Sequence, residues 1–505
     1  MKFAGPIINS VGWPLVTLFT LCVAASMAEL ASAYPTAGGL YYWAYRLGGT
    51  RWAWVTAWFN MIGQITITAG IDIAAAIYIV GFLSNLLGIP PDAPVPVFGT
   101  VSSWGFYVFV MVLIMIPQVL INIFGIRLTA LLSDFSVYWH IAGVFIIAGL
   151  LTFLGKVHQP LSFLFSFVNT VNPLDASSAP LPDGTVGPAL VIGPWTFPSP
   201  LFALIPALKE IYRAAPFLLV FALGLLQAQW TYTGYDASAH MAEETIMARL
   251  NSAWGVFLSV AVSGVVGYIV LMALTAAIPD IPGTVNDPYP VLYIVRQNLA
   301  PFFANLIGLI IAGAMWLCGL SSITSMSRMW FAFARDGGMP GYSLIRRIHP
   351  RLRTPVWSIL ITSMLAVLLT IYSAAYYVVT AISTITLYLA YGLPTYLNLR
   401  NKLRKRGEYT TPQNAPWNLG ALGPWINGIA IAWIAFITIL FCLPPNELTL
   451  WTILGLGVVM VLYWQLDAKR RFTGPTPLSE EELRRIEAEL EAMARGRPAY
   501  QQGGE

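Results

Sequence analysis

The chain has 505 residues, of which 57% are hydrophobic and only 10% charged, with a mean hydropathy of +0.69. Soluble domains carry roughly 25% charged residues, so this composition excludes an ordinary soluble enzyme or nucleic-acid binder and points to a protein dissolved in lipid. The net charge of +4 excludes little as a total; its placement along the chain is what informs.

A hydrocarbon core about 30 Å thick needs about 20 predominantly apolar residues per crossing. Such windows fall at 10–33, 52–83, 101–122, 130–154, 215–238, 253–278, 301–325, 355–373, 375–398, 425–443 and 448–466, which predicts eleven membrane helices. Trp13, Trp43, Trp104, Trp357, Trp425 and Trp451 stand near window ends, as interfacial belts do. Pro-, Gly- and Asp-rich joints at 90–100, 171–200 and 279–290 read as loops. In the sixth window Gly255, Ser259, Ser263 and Gly267 recur every four residues, a stripe that predicts close helix approach. Cys22, Cys318 and Cys442 all sit inside apolar runs, so no disulfide framework is expected. Residues 1–471 form the predicted transmembrane domain and 472–505 a tail. There LSEEELRRIEAELEAM opens with a capping box (Ser479, Glu482) and sets Leu483, Ile486 and Leu490 at helical spacing, predicting a short amphipathic helix.

The cations alternate from joint to joint. Arg46 and Arg51, Arg127, Arg249, the arginines from Arg328 to Arg353, the cluster from Arg400 to Arg406, and Lys469 to Arg471 occupy every second joint. The intervening joints hold only Lys156, Lys209, Arg213 and Arg296. By the positive-inside rule the rich loops and the C-terminus are expected in the cytoplasm. Eleven crossings then place Met1 outside with no export signal, and the expectation is a first helix missing ahead of residue 1, with a true eleven-helix protein whose N-terminus is outside as the alternative.

The fifth window runs into QWTYTGYDASAHMAEET, 229–245. The apolar run before it, 214–226, reaches about 20 Å, so polar residues begin before a crossing is complete. Irregular backbone at that depth is tolerated only where it lines a cavity. Gly234 frees the backbone from the steric limits on other residues, and the hydroxyls of Thr231 and Thr233 compete with the helix ladder. Tyr232 and Tyr235 would wall a small recess. A plainer reading stands beside this one: the helix ends here, and Asp236, His240, Glu243 and Glu244 are solvated. Asp72 is the deepest acid of the second window, a place where ionisable groups are costly; it would serve as a counter-charge, a proton site or a local partner.

MAELASAYPTAGGLYYW (27–43), QWTYTGYDASAHMAEET (229–245) and SSITSMSRMWFAFARDGGMP (321–340) resemble the amino acid–polyamine–organocation superfamily, closest to its GABA, choline and general amino acid permeases. The resemblance covers Gly5 to about Arg471. It implies an all-α membrane protein with the leucine-transporter-like inverted-repeat fold, ten helices arranged as five plus five within twelve. Gly5-Pro6 is similar to the end of the family's first extracellular loop; the helix that precedes it in the family, whose glycine-rich break holds the substrate carboxylate, is not in this sequence.

The resemblance also implies function: a permease for amino acids or related small amines, working by alternating access with proton coupling or exchange, in the plasma membrane. The substrate-binding set is then Thr231, Tyr232, Thr233 and Gly234, whose carbonyls receive the amino group, with Tyr235 and Asp236. His140 is similar in place to a lysine that occupies the sodium position of related symporters, and with Asp72 it is a candidate for proton coupling. Ser321 and Ser322 are candidates for further lining. Glu29 reads as a packing or gating contact. Two alternatives stay open: a choline-, polyamine- or GABA-selective permease, and a transport-dead sensor or truncated inactive product. Four scattered His residues, no Gly-Lys-Ser/Thr phosphate loop and no nucleophile elbow predict no metal, no cofactor and no enzyme activity. The expected partners are the small-molecule substrate, protons and the bilayer, with no nucleic acid; the sequence leaves the oligomeric state open.

Overall fold

A computed structural model describes residues 3–475, apart from 37, 193–194, 373–375 and 405–414, together with Arg485 and Ala488. The predicted amphipathic helix of the tail lies outside the described residues.

All eleven apolar windows fall on helices. A π-helical turn, Ile8–Gly12, leads into α1 (Trp13–Ala33), followed by the short α2 (Gly39–Gly48) and then α3 (Thr50–Leu87), α4 (Trp104–Phe124) and α5 (Ile126–Leu154). After a long joint come α6 (Pro206–Ala214), α7 (Phe217–Thr231), the single turn α8 (Ala237–His240) and α9 (Ala248–Ala276). The chain continues through α10 (Pro301–Arg335), α11 (Val356–Tyr372), α12 (Tyr376–Leu403), α13 (Gly423–Phe441) and α14 (Glu447–Tyr463). Among the described residues nine helices are long and apolar enough to span, α6 and α7 add a pair bent by 89°, and α11 is a shorter apolar helix. This is an all-α, multi-pass membrane protein. Its strands are confined to joints, the longest being an antiparallel three-stranded piece of Ser178–Pro180, Val186–Ile192 and Trp195–Pro198.

The longest helix organises the rest. α3 has 38 residues, about 57 Å of helix. It contains no proline, starts after Gly49 at φ +89° and stops at Gly88 in the left-handed conformation. α10 and α12 pack along it, α9 packs on α1, α13 packs on α12 and α1, and α5 lies between α9 and α10. Small residues set these distances. A Cβ at Gly63 would come within 2.6 Å of the Leu387 side chain, so α12 approaches α3 only where the side chain is absent.

The predicted stripe on α9 is rotated. Cβ atoms at Gly264 and Gly267 would fall 2.5 Å from Thr17 and Trp13 of α1, and one at Gly255 would fall 2.7 Å from Ser238. Ser259 and Ser263 face outward, and the Ser259 hydroxyl bonds its own helix at the Gly255 carbonyl. A four-residue period drifts around a helix that turns every 3.6 residues, so it does not hold one face over three turns.

Candidate functional site

α7 has only 15 residues, about 22 Å of rise against a core of about 30 Å. Its ladder closes with Tyr232 N donating to Gln229 O at 3.2 Å and resumes with Ala237 N donating to Gly234 O at 3.1 Å. Between them the helix is interrupted, with Gly234 at φ +83°. The threonine hydroxyls turn back onto the preceding turn: Thr231 Oγ1 donates to Gln227 O at 3.0 Å and Thr233 Oγ1 to Trp230 O at 2.5 Å.

Side chains from α12 hold the break open. The Tyr391 hydroxyl accepts from Gly234 N–H at 3.1 Å and donates to Asp236 Oδ1 at 2.8 Å. One turn earlier, the Tyr388 hydroxyl donates to the Tyr232 carbonyl at 2.6 Å. Tyr232 Oη lies 2.6 Å from Thr17 Oγ1 of α1, and the Tyr235 ring tilts against Tyr391 with centroids 5.0 Å apart. Two backbone groups freed by the break are thus met by tyrosine hydroxyls from a separate helix, which is what keeps polar backbone tolerable at this depth.

Asp236 and His240 are sequestered rather than solvated, with relative exposures of 0% and 1%. Asp236 Oδ2 accepts from Gln64 Nε2 at 3.0 Å and stands 3.0 Å from His240 Nε2, which in turn lies 3.1 Å from Asn60 Nδ2. Asn60 and Gln64 are one turn apart on α3. The plain reading of a solvated helix end therefore fails for both residues: their partners come from α3 and α12, far away in sequence. Glu243, half-buried, is 4.0 Å from Arg335; the side chain of Glu244 lies outside the described residues.

Further ties cross the face that carries the cation-rich joints. The Tyr41 hydroxyl donates to Asp336 Oδ2 at 2.7 Å, and Arg335 Nε approaches Asp336 Oδ1 at 3.5 Å. Burial pushes the Asp336 carboxyl above the usual carboxylate range, against the pull of Tyr41 and Arg335. At the end of α1, Glu29 accepts from Lys402 Nζ at 2.5 Å, Asn398 Nδ2 at 3.0 Å and the Leu419 amide at 3.3 Å. Glu29 and Lys402 are both largely buried, so breaking the pair leaves a poorly solvated charge. We expect Lys402→Met to lower stability by about 3 kcal/mol and Glu29→Gln/Lys402→Met to recover much of that loss. Thermal unfolding of the detergent-solubilised protein measures both; equal losses would remove the pair from this account.

The opposite face is open. A cavity of about 550 Å³ is lined by Thr275, Thr284 and Pro288 and by the Trp230 ring, one residue short of the break. Trp13, Tyr78, Gln227 and Tyr376 line it, and Tyr376 meets Trp230 edge-on with centroids 5.9 Å apart. Thr231 to Asp236 are not among the residues that line the cavity.

The structure brings Tyr232, Gly234, Tyr235 and Asp236 together under α12, while Thr231 is exposed beside them. The other candidates sit elsewhere. Asp72 is fully buried in the seam of α3, α4 and α10, where Oδ1 accepts from Gln118 Nε2 at 3.0 Å and Oδ2 has no hydrogen-bond partner among the described residues. Glycine at 319 is what lets α10 pass, since a Cβ there would be 2.1 Å from Asp72 Oδ1. Ser322 bonds Thr68 Oγ1 across the same seam at 2.7 Å, and Ser321 beside it is half-buried. His140 is exposed on α5, with Nδ1 2.7 Å from Ser136 O of its own helix. Trp230, Tyr391, Gln64 and His240 complete the site and were not singled out from sequence as parts of it. The one local signal was the four-residue spacing of Asp236 and His240, which puts both on one face of a helical turn. Among the described residues there is no cluster of three His, Cys, Asp or Glu able to hold a metal.

The profile described as "Amino acid permease" matches residues 1–463 of this chain. The chain is similar to the amino-acid permease BAT1 of Arabidopsis thaliana, at 29% identity over 94% of this chain and 87% of that protein. Similarity to the BAT1 homolog of Oryza sativa subsp. japonica is 30% over the same shares. A Candida albicans protein named as a candidate polyamine transporter is 23% identical over 93% of this chain and 80% of its own length.

Proposed function

The chain belongs to the amino acid permease family of the amino acid–polyamine–organocation superfamily, and from that premise we propose a secondary active transporter of amino acids or related small amines that works by alternating access. The observation that carries the reading is the interrupted helix at Tyr232–Asp236, set between a cavity on one face and a layer of polar ties on the other. The main-chain carbonyls of Thr231 and Thr233 receive the substrate's ammonium group, those of Tyr232 and Gly234 being taken by Tyr388 and the Ala237 amide, and Tyr235 and Asp236 hold the break in shape from beneath. With the cation-rich face in the cytoplasm of a plasma-membrane protein, this arrangement is the outward-facing state: Trp230 floors the entry, and Asp236, His240, Tyr391 and the Glu29–Lys402 pair keep the inner side shut. Residues 1–471 are the permease domain on this reading, and the rest is a cytoplasmic tail. Uptake of labelled amino acids into proteoliposomes tests it, and a chain that neither binds nor moves any amino acid or amine would overturn it.

Proton coupling requires a group that gains and loses a proton between states. Asp72 suits this better than His140 on geometry: its second oxygen is buried and without a hydrogen bond, whereas His140 is satisfied by its own helix and exposed. Such an oxygen is costly as a charge and comfortable as a carboxylic acid. Asp72→Asn is expected to flatten the pH dependence of net uptake while leaving substrate exchange near the parental rate, and His140→Ala to leave the pH profile in place. Parental pH dependence in Asp72→Asn would transfer the role away from it.

A further inference from the structure

The relatives' names divide between amino acids and polyamines, and the cavity above Trp230 distinguishes the two chemically. None of its lining residues is Asp, Glu, Lys, Arg or His. The acids around it are committed elsewhere. Asp72 faces α4 and bonds Gln118, while at the rim Asp287 pairs with Arg296 at 3.1 Å and Asp280 accepts from Gly283 N and from Tyr293 Oη. Trp230 Nε1 adds nothing to the chamber's polarity: it is buried against α3, 3.8 Å from where a Cβ on Gly70 would stand.

A polyamine carries an ammonium group on every few carbons. Desolvating each costs several kcal/mol when no anion meets it, and an aromatic face returns only about 0.5–2 kcal/mol. A zwitterionic amino acid confines both charges to one end, where an interrupted helix presents backbone dipoles, and leaves its side chain to the walls. We infer that the substrate is an α-amino acid with an uncharged, apolar or aromatic side chain, which occupies the chamber of Trp13, Tyr78, Trp230 and Tyr376, and that polyamines and dibasic amino acids are excluded. This rests on the transport reading above and narrows it to a side-chain class.

The test is a competition panel on the full chain in proteoliposomes, with labelled leucine and phenylalanine as tracers against unlabelled leucine, phenylalanine, arginine, choline and spermidine. Apolar and aromatic amino acids are expected to compete at least about tenfold better than arginine, choline or spermidine, the factor set by one unpaired charge. Arginine or spermidine equal to leucine as competitor would overturn the side-chain inference while leaving a working transporter. Uptake and binding absent for every solute would instead strike the transport reading beneath it.

Discussion

Gly234→Ala is expected to cut transport by about tenfold or more while leaving the amount of inserted protein and its unfolding temperature near the parental values. The cause is conformational rather than steric. A Cβ at this position would meet only the Ile67 side chain, at 3.4 Å, an ordinary contact. But Gly234 stands at φ +83°, and holding an L-residue with a Cβ there costs about 1–2 kcal/mol, enough for a tenfold effect. The alanine escapes by rotating φ to negative values, which swings its N–H off the Tyr391 hydroxyl and lets the ladder of α7 run on toward α8. Gly234→Asn, which tolerates positive φ better, is expected to retain more activity than Gly234→Ala although it is larger. Initial uptake rates normalised to inserted protein check both. The reverse order would show that volume, not backbone conformation, governs the position.

How far the sequence reached follows from which signals are local. Span positions come from hydropathy, which each window carries by itself, and all eleven windows meet helices. The interruption at Gly234 was legible because a glycine just after two threonines, in a run too short to cross, needs no knowledge of the neighbours. The 89° turn between α6 and α7 was not foreseen: Pro216 marks a boundary, but nothing in the local sequence singles out Ala215 for its φ of +46°. Helix rotation was the larger gap. α3 is apolar on every side, so nothing in its pattern distinguishes the face with Asn60 and Gln64, which meets Asp236 and His240, from the face with Thr68 and Asp72, which meets α4 and α10. For the same reason Tyr388 and Tyr391 look like ordinary interfacial aromatics until α12 is set beside the break. The seam of Thr68, Asp72, Gln118, Asn122, Ser322 and Thr324 joins three helices whose polar residues, read singly, look like packing exceptions.

Asp236 is expected to be the most sensitive side chain in the protein. Its two oxygens serve Tyr391, Gln64 and His240, so Asp236→Ala removes a partner from three buried polar groups at once. Each lost bond to the carboxylate costs about 1.5–3 kcal/mol, which predicts at least a hundredfold loss of transport and a lowered unfolding temperature. Asp236→Asn keeps the volume but turns an amide NH₂ toward groups that need an acceptor, and is expected to fall between Ala and the parent. Tyr391→Phe removes only the hydroxyl that joins Gly234 to Asp236, for a loss of about tenfold. Because Asp236→Asn and Tyr391→Phe cut the same bond, the double variant should lose less than the product of the single losses; independent losses would separate the two residues. Stability alone could mimic a transport defect, so accessibility supplies the second readout. A cysteine at Ser238, beneath the break, should react slowly with a membrane-impermeant thiol reagent applied from the cation-rich face of the parent, and several times faster when Asp236→Asn is added. Unchanged labelling beside lost transport would mean that Asp236 acts on the substrate itself rather than on the closure beneath it.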